Sequence, residues 1–325
     1  MNKFIMMIGL PASGKDTWIN KFLKASTEKW TVLSSDEMRK ELYGNEAIQG
    51  DPQEVFGKLH RKLKSALNRS ENIIYNATNI KVKDRRPALE LVKHYKDYMV
   101  YGIIIATTLP QCYHNNQKRE RQVPNNVIKR MYYHFEPPHY FEGFNKIEVE
   151  YPFIGPYIYY KDKIKDLKKI SHDNPHHQLS IGSHINAAVK KYKKDKEKII
   201  FFHKDYQLED YYKNVVEKAL MLHDIGKEKT KGFYDSKGKP CDIAHFYRHE
   251  NVGAYDYMFY TVDHDYYDPL KPEYDPNIAA AIAYHMRPFS WKEEKTVEKY
   301  RKLWGDKLFR VVELVHCYDE MSEKN

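Results

Sequence analysis

An apolar run, Phe4 to Ile8, leads directly into the glycine-rich turn Gly9 to Gly14, and an amphipathic segment begins at Lys15. A short, continuous apolar run is typical of a strand that is buried in a parallel sheet. The apolar residues of the segment after the turn share one helical face: Trp18, Ile19, Phe22 and Leu23. The order of strand, turn and helix predicts that the first part of the chain has an α/β fold.

The same alternation continues to about residue 150. Segments with strand character alternate with segments of helical spacing: strands at Val32 and Leu33, Ile73 to Tyr75 and Tyr101 to Ala106, and helices from Val55 to Leu67 and around Ala88 to Val92. This rhythm predicts an α/β domain, residues 1–150, with an open, mostly parallel sheet that helices cover on both faces.

Prolines and charges interrupt this rhythm after residue 136. Four prolines between Pro137 and Pro156 break any long element, and the segment from Lys161 to Lys169 is densely charged, so residues 151–171 are predicted to be a linker. From there on the strand pattern disappears, and four segments have helical spacing: Ala187 to Lys191, Val215 to Leu222, Ile278 to Tyr284 and Leu308 to Val315. The second domain, residues 172–325, is therefore predicted to be all-α.

The charge and the cysteines limit the setting in which the protein works. Its formal net charge of +9 favours polyanionic partners such as RNA or DNA, and a generally lysine-rich surface is the alternative explanation. The three cysteines are far apart and odd in number, so no disulfide framework is expected and a cytoplasmic location is predicted. No apolar run approaches the length of a membrane span, and no membrane partner is predicted.

The turn after the first strand has the spacing of a phosphate-binding loop. The Walker A pattern combines glycines, whose backbone N–H groups surround a phosphate, with a lysine that reaches the β and γ phosphates. It predicts binding of ATP or another nucleoside triphosphate, with Mg²⁺, through six residues: Gly9, Ser13, Gly14, Lys15, Asp16 and Thr17. Asp16 stands where a serine or threonine hydroxyl usually meets Mg²⁺. Its carboxylate can bind Mg²⁺, directly or through water, or repel the nucleotide.

Two later segments carry residues that suit a phosphoryl acceptor. Asp36 follows the second predicted strand, where a carboxylate can take a proton from an attacking hydroxyl. Arg39 lies on the same face of the next helical turn and can hold an acceptor phosphate. The basic segment Lys118 to Arg121 can neutralise charge in phosphoryl transfer. A helix cap is the alternative role for Asp36, and a solvated charge run is the alternative for the basic segment.

Together these segments resemble the polynucleotide 5′-kinase family of P-loop phosphotransferases over about residues 3–150. Five motifs carry the resemblance: Gly-Leu-Pro-Ala-Ser-Gly-Lys at 9–15, Ser-Ser-Asp-Glu-Met-Arg at 34–39, Asn-Ala-Thr-Asn at 76–79, the basic segment, and Glu-Gly-Phe at 142–144. The resemblance implies that Asp36 is the general base on a 5′-hydroxyl and that Arg39 contacts a phosphate of the acceptor strand. Arg119 and Arg121 are the leading candidates for the family's catalytic arginine, with Lys118 behind them. Asn76 departs from the family, which commonly has an aspartate there.

The C-terminal half carries histidines and aspartates that suit a metal centre. His245 and His249 are four residues apart and are predicted to share a helical face. Six residues form the predicted ligand series: His184, His223, Asp224, His249, His285 and Asp319. Imidazole and carboxylate suit first-row transition metals, and two ions a few ångström apart can clamp a phosphoester and activate water. Ordinary core and capping roles for these residues are the alternative.

This half resembles the HD-domain metal phosphohydrolases over about residues 172–321. The resemblance implies two neighbouring metal sites that share Asp224: His184, His223 and Asp319 complete the first, and His249 and His285 build the second. The imidazole-rich ligand set predicts two transition-metal ions, which could be Mn, Fe, Co, Ni, Cu or Zn. Lys227 would steady phosphate oxygens and Arg287 is a further phosphate ligand, with His177 and His245 as secondary candidates.

A kinase and a phosphohydrolase in one chain predict an enzyme that heals nucleic-acid ends. The kinase would phosphorylate 5′-hydroxyl ends. The second domain would remove 2′- or 3′-phosphates, or open and remove 2′,3′-cyclic phosphates, which leaves ends that suit a separate ligase. Cyclic phosphates arise when RNA is cleaved, so RNA, including broken tRNA, is the favoured substrate. Two alternatives stay open: a nucleoside or metabolite kinase fused to a nucleotidase, and a non-catalytic RNA-binding adaptor with degenerate sites, which Asp16 and Asn76 would support.

Overall fold

The computed structural model describes most of the chain. The described ranges are residues 1–153, 158–175, 178–201, 206–261 and 274–323. They form two compact units, which are treated separately below. The N-terminal unit comprises residues 1–132 and 138–153, and the C-terminal unit comprises residues 133–137 and the described residues from 158 onward.

The N-terminal unit is built on a five-stranded sheet in the order β2-β3-β1-β4-β5, in which every pair of neighbouring strands is parallel. The strands are β1 (Asn2–Ile8), β2 (Trp30–Ser34), β3 (Asn72–Asn76), β4 (Tyr98–Ile105) and β5 (Lys146–Glu150). The first four strands confirm the sequence prediction. The fifth was not predicted, because charged residues alternate with Ile147 and Val149 along this edge strand and hide its apolar face.

Helices connect these strands. They are α1 (Lys15–Ala25), α2 (Ser35–Tyr43), α3 (Pro52–Asn68), α4 (Val82–Lys93), α5 (Leu109–Gln117) and α6 (Asn125–Tyr132). Ile19 of α1 packs into a buried cluster with isoleucines of the three central strands, among them Ile5, Ile74 and Ile103. This packing fixes α1 on the sheet directly after the turn that follows β1, so the start of α1 lies at the carboxyl edge of the strands, where α/β folds bind ligands.

A buried ion pair anchors the Glu-Gly-Phe motif. The Arg85 guanidinium donates to both carboxylate oxygens of Glu142, at 2.8 Å each, and to the carbonyl of Asn79 at 2.9 Å. Both charged groups are almost completely buried. Two residues further on, the Phe144 ring lies so close to Gly102 that a Cβ there would be 3.1 Å from it. These contacts give Arg85 and the motif a role in holding the fold.

The C-terminal unit is mostly helical. Its helices are α7 (Tyr160–Leu167), α8 (Ile181–Asp195), α9 (Tyr206–Leu222), α10 (Lys227–Thr230), α11 (His249–Asp256), α12 (Pro276–Tyr284) and α13 (Glu294–Glu323), the last of which is kinked at Gly305. All four helical segments predicted from spacing are confirmed, in α8, α9, α12 and α13. The first helix, α7, falls inside the predicted linker and packs on α8: a Cβ at Gly182 would lie 2.6 Å from the Lys168 backbone nitrogen.

The prediction that this half is all-α is wrong in one respect. An antiparallel hairpin joins β7 (Gly232–Tyr234) and β8 (Pro240–His245), and the short strands β6 (Ile158–Tyr159) and β9 (Tyr260–Thr261) pair in parallel. The hairpin turn is closed by the Asp235 carboxylate, which accepts hydrogen bonds from two backbone N–H groups. Strands β6, β7 and β9 have only two or three residues each, which is too few for a readable alternation. Throughout the described ranges, no helix has the length and apolar character needed to cross a membrane.

Candidate functional site

The glycine-rich turn between β1 and α1 is folded around the Lys15 side chain. Gly14 caps α1 with a φ of 103°, in the left-handed region that favours glycine. The Lys15 ammonium curls back and donates to the carbonyls of Gly9, at 3.0 Å, and Leu10, at 2.8 Å. Burial lowers the pKa of Lys15 to about 8, although the Asp16 carboxylate opposes the shift. The ammonium therefore lies inside the loop, where it can exchange carbonyl partners for phosphate oxygens.

Residues at the end of β4 and on α5 hold the loop from outside. The Thr107 hydroxyl donates to the Ser13 carbonyl at 2.7 Å, and the Asn115 amide donates to the Ala12 carbonyl at 3.0 Å. The Ser13 hydroxyl itself is buried and has no hydrogen-bond partner among the described residues. A braced loop with an unused buried hydroxyl and an inward-facing ammonium fits a bound phosphate.

Two arginines hold the predicted general base. Asp36 lies in the first turn of α2, and its Oδ1 atom is 2.6 Å from Arg39 and 2.9 Å from Arg121. The Arg39 contact joins residues three apart on one helix, whereas the Arg121 contact joins the basic segment to α2. Asp36 is not the cap of α2, because Ser34 has that role. Its carboxylate instead lies where two cations could also meet an acceptor phosphate.

In the basic segment between α5 and α6, the two leading candidates have different neighbours. Arg121 contacts Asp36. Burial is the main cause of the lowered pKa of Lys15, and the nearby positive charge of Arg119 also lowers it. Asn116 closes the segment with two hydrogen bonds to the Val123 backbone, at 2.7 and 3.0 Å. The structure therefore places Arg121 beside Asp36 and Arg119 nearer to Lys15.

The two residues that depart from the kinase pattern are in contact. Asp16 and Thr17 begin α1 and are exposed, and Asn76 ends β3. The Asn76 side-chain amide donates to Asp16 Oδ1 at 2.8 Å. Asp16 therefore faces the end of β3 at the carboxyl edge of the sheet.

In the C-terminal unit, all six predicted metal ligands come together. They form two groups whose ligand atoms lie within 4.8 Å of one another: His184, His223, Asp224 and Asp319 in one, and Asp224, His249 and His285 in the other. All six are buried, and five helices bring them together, because the adjacent pair follows α9 and each other ligand lies on or directly after its own helix. Gly226 allows this approach, since a Cβ there would lie 2.1 Å from the His249 carbonyl.

The four histidines present the same nitrogen to the centre. Three of them donate Nδ1–H to the backbone carbonyl three residues earlier, at 2.7–2.9 Å: His223 to Leu220, His249 to Phe246 and His285 to Ile282. Ser322 serves His184 in the same way: its hydroxyl donates to the Asp319 carbonyl at 2.6 Å and accepts from His184 Nδ1 at 2.9 Å. When these rings are neutral, each Nε2 therefore carries the lone pair and points inward, the arrangement of metal-binding histidines.

Asp224 lies between the two groups. Its Oδ2 atom is 3.5 Å from His184 Nε2 and 3.4 Å from His223 Nε2, and its Oδ1 atom is 3.3 Å from His249 Nε2. On the far side of the first group, Asp319 Oδ1 is 2.7 Å from His184 and 3.1 Å from His223. One carboxylate that presents a different oxygen to each group is suited to bridge two cations.

The donor set fits metal ions. His249 and His285 bring their Nε2 atoms to 3.2 Å, and two lone pairs at that distance repel unless a cation lies between them. Asp224 Oδ2 is buried and lies 2.7 Å from the Lys227 ammonium, so the carboxylate remains ionised inside the site. Imidazole nitrogens with carboxylate oxygens suit first-row transition metals better than Mg²⁺, which prefers oxygen ligands alone.

The two groups differ in electrostatic character. Burial by itself lowers the pKa of His223, but Asp224 and Asp319 outweigh it and raise that pKa to about 10. In the second group, burial and then the neighbouring His249 lower the pKa of His285 to about 3. The first group, with two carboxylates, therefore attracts positive charge more strongly than the imidazole-rich second group.

Lys227 and His172 extend the site. The Lys227 ammonium lies between Asp224 Oδ2, at 2.7 Å, and His172 Nε2, at 3.3 Å. His172 donates Nδ1–H to the Leu179 carbonyl at 2.7 Å, which leaves Nε2 as an acceptor for Lys227. His172 is not one of the six predicted ligands. The structure places it behind Lys227, and Ser322, which was not predicted at all, behind His184.

The secondary candidates lie elsewhere or outside the described residues. His245 ends β8 and stacks on Tyr247 with 5.2 Å between ring centroids. The prediction that His245 and His249 share a helical face is therefore wrong, because the left-handed backbone of Arg248 separates the strand from α11. Arg287 is exposed on a 3₁₀ turn. His177 falls outside the described residues.

The N-terminal unit is similar in sequence to known proteins. Residues 4–138 match a family model described as an AAA domain. The L-seryl-tRNA(Sec) kinase of Methanococcus maripaludis is 28% identical over 139 residues, which are 41% of this chain and 52% of that protein. The chain thus spans about half the length of this curated relative. With the loop geometry above, these similarities define a kinase-like P-loop domain.

Solved structures of an RNA repair complex also resemble part of the chain. A chain of the Pnkp1/Rnl/Hen1 RNA repair complex has a TM-score of 0.35 and 17% identity, over 40% of this chain and 42% of its own length. A second structure of the Pnkp1/Rnl/Hen1 complex has a TM-score of 0.31 and 18% identity, over 35% of this chain and 38% of its own.

Proposed function

We propose that this chain is a nucleic-acid end-healing enzyme with two activities. The N-terminal unit phosphorylates 5′-hydroxyl ends, and the C-terminal unit is an HD-type phosphohydrolase that removes 2′- or 3′-phosphates or 2′,3′-cyclic phosphates. Six buried histidines and aspartates form two ligand groups that share Asp224, in a chain that also carries a kinase-like P-loop domain. This combination supports the proposal most directly. One site adds a phosphate and the other removes one, which is what both ends of a broken strand need before a ligase can join them.

In the kinase, the residues of the chain hold charge and move one proton. Lys15 would reach the β and γ phosphates of a nucleoside triphosphate, and a bound Mg²⁺ would supply further positive charge there. Arg39 holds the acceptor strand through a phosphate, and Asp36 accepts the proton of the attacking 5′-hydroxyl. Arg121, which contacts Asp36, can stabilise the negative charge that develops on the transferred phosphoryl group. Arg119 adds positive charge beside the loop.

In the phosphohydrolase, the six ligands would hold two transition-metal ions, with Asp224 shared. Such ions supply Lewis acidity to the phosphoester and lower the pKa of a nearby water. The carbonyl and serine partners of the four Nδ1 atoms keep the rings in the tautomer that binds metal. Lys227 lies beside Asp224 and is positioned to donate to a phosphate oxygen at the edge of the centre.

Two observations favour RNA as the substrate. The curated relative is by name a kinase of seryl-tRNA, so the matched region of that protein serves an enzyme that acts on RNA. The net charge of +9 suits a polyanion. Because RNA cleavage leaves 2′,3′-cyclic phosphates, an RNA end presents substrates to both sites.

The two activities should separate by mutation. A short RNA with a 5′-hydroxyl and a 2′,3′-cyclic phosphate, offered with ATP, lets each end be followed by mass spectrometry. We expect Lys15→Ala to lower 5′-phosphorylation by about 10²–10³-fold or more and to leave the 3′ end reaction intact, because an electrostatic contact to the transferred group is lost. We expect His223→Ala to do the reverse.

The outcomes discriminate among the functions. Loss of both activities in a folded Lys15→Ala protein would contradict the two-site proposal. Phosphorylation of a free nucleoside in preference to the RNA would favour a metabolite kinase instead. A wild-type protein that binds the RNA and changes neither end would point to an adaptor.

We expect His172 to act through Lys227. His172→Ala should lower the phosphohydrolase rate about tenfold, the usual effect of losing a residue that positions a group at a metal site, with the metal content unchanged. The double variant His172→Ala/Lys227→Ala should be no slower than Lys227→Ala alone, because His172 has no effect on the rate once the Lys227 ammonium that it positions is gone. His245→Ala is the matched control. Additive losses, or a lower metal content in His172→Ala, would contradict this role.

A further inference from the structure

The two departures from the kinase pattern form one pair. In P-loop enzymes, Mg²⁺ is held by a hydroxyl at the end of the phosphate loop and by a carboxylate on a nearby strand. This chain has Asp16 at the loop position and Asn76 at the strand end, 60 residues apart in sequence and joined by a hydrogen bond of 2.8 Å. Asn76 pairs with Met7 of β1 in the sheet, two residues before Gly9 begins the loop. The two positions are therefore neighbours at the same edge.

The exchange conserves charge. A serine with an aspartate carries one negative charge, and so does an aspartate with an asparagine. Either change alone would instead leave the pair with two acidic groups or with none. The buried Asn76 side chain donates to Oδ1 of Asp16, and Asp16 is exposed, so its carboxylate can reach a ligand on the loop.

We propose that Asp16 and Asn76 have exchanged roles: Asp16 supplies the acidic oxygen for the Mg²⁺ of the bound nucleotide, and Asn76 orients that carboxylate. This inference rests on the kinase function proposed above. A hard cation accepts a carboxylate oxygen as a ligand, and an amide donor on the other oxygen fixes the direction in which the carboxylate points. The carbonyl oxygen of the Asn76 amide offers a further neutral oxygen at the same place.

The exchange predicts that the two positions depend on each other. Asp16→Ser removes the single carboxylate of the pair. Asn76→Asp puts a second carboxylate against the first, and like charges in contact repel or share a proton. The double variant Asp16→Ser/Asn76→Asp restores one hydroxyl and one carboxylate with the positions reversed. Each single change should therefore be harmful, and the second change should repair the first.

The test measures binding of ADP by calorimetry, with and without Mg²⁺, in the full chain. In the wild type, Mg²⁺ should strengthen the binding of ADP. We expect each single variant to weaken the Mg²⁺ effect by about 10–100-fold, the usual loss when a metal site is disturbed, and the double variant to recover most of it. Asp16→Ser should still bind ADP without Mg²⁺, because Lys15 and the loop are intact. Asp97→Ser, an exposed aspartate at the opposite end of the sheet, is the matched control.

The outcomes separate this proposal from the kinase function. If ADP binds and the Mg²⁺ effect is equal in all variants, the exchange is overturned while the kinase function stands. A double variant no better than the worse single variant also overturns the exchange. If the wild type binds no ADP under any condition, the kinase function falls and the exchange falls with it. Melting curves of the four proteins exclude unfolding as the cause of a loss.

Discussion

Replacing Asp224 by alanine should remove both metal ions from the C-terminal unit and abolish phosphate removal. Asp224 presents Oδ2 to His184 and His223 and Oδ1 to His249, so one substitution withdraws a ligand from both groups. We expect the rate to fall by about a thousandfold or more, which corresponds to the several kcal/mol that metal ions contribute to such reactions. Elemental analysis of protein purified without chelator gives the metal content, and the cyclic-phosphate assay gives the rate.

Substitutions in the separate groups should have graded effects. His285→Ala should remove one ion, because it belongs to the imidazole-rich group alone. The remaining ion should stay with the first group, which has two carboxylates, Asp224 and Asp319, to attract a cation. Since ligands that bind only the native state stabilise it, a chelator should lower the melting temperature of the wild type and leave Asp224→Ala unchanged.

A control and a contrary result complete this prediction. Asp173→Asn removes an exposed carboxylate that pairs with Lys231, at a left-handed position that asparagine tolerates, and it should keep both ions. Full activity in Mg²⁺ alone, with no transition metal bound, would contradict the two-metal centre. A single stoichiometric ion with His249 and His285 dispensable would reduce it to a mononuclear site.

Apolar periodicity was enough to predict most elements but failed where charge obscures it. The buried runs of β1, β3 and β4 and the spacing in α3 and α9 could be read directly, because burial on the sheet or in the helical unit demands those patterns. Strand β5 and helix α7 escaped notice, since lysines and acids surround their few buried positions, such as Ile147 and Ile164. Edge strands and surface helices bury one face only, so their signal is weak.

The candidate sites were also predicted only in part from the sequence. Residue type and motif spacing were sufficient to predict which six residues belong to one cluster, and the structure brings all six together. Contacts between distant segments could not be predicted. Nothing in the sequence distinguishes Arg119 from Arg121 until the fold places Arg121 on Asp36, and nothing links Asp16 to Asn76 until β3 lies beside β1. Such pairings depend on tertiary structure, which a single sequence does not record.

In the N-terminal unit, Asp36→Asn should lower the kinase turnover number by about 10²–10⁴-fold, the usual contribution of a general base. Asparagine has the same shape and keeps an oxygen for Arg39 and Arg121, so the arginines stay in place and only the basic group is lost. The affinity for ADP should be unchanged, because Lys15 contacts loop carbonyls. Transfer of labelled phosphate from ATP to a 5′-hydroxyl RNA measures the turnover.

The neighbouring Glu37 gives a matched control for Asp36. It is an exposed carboxylate in the same turn of α2, so Glu37→Gln removes the same charge one residue away and should leave the turnover within about twofold, as expected for a surface substitution. Equal losses in both variants would mean that the net charge of the turn matters and not a proton acceptor at Asp36. A normal turnover in Asp36→Asn would leave Asp36 as a partner for two arginines, and the acceptor hydroxyl would then have to lose its proton to another group.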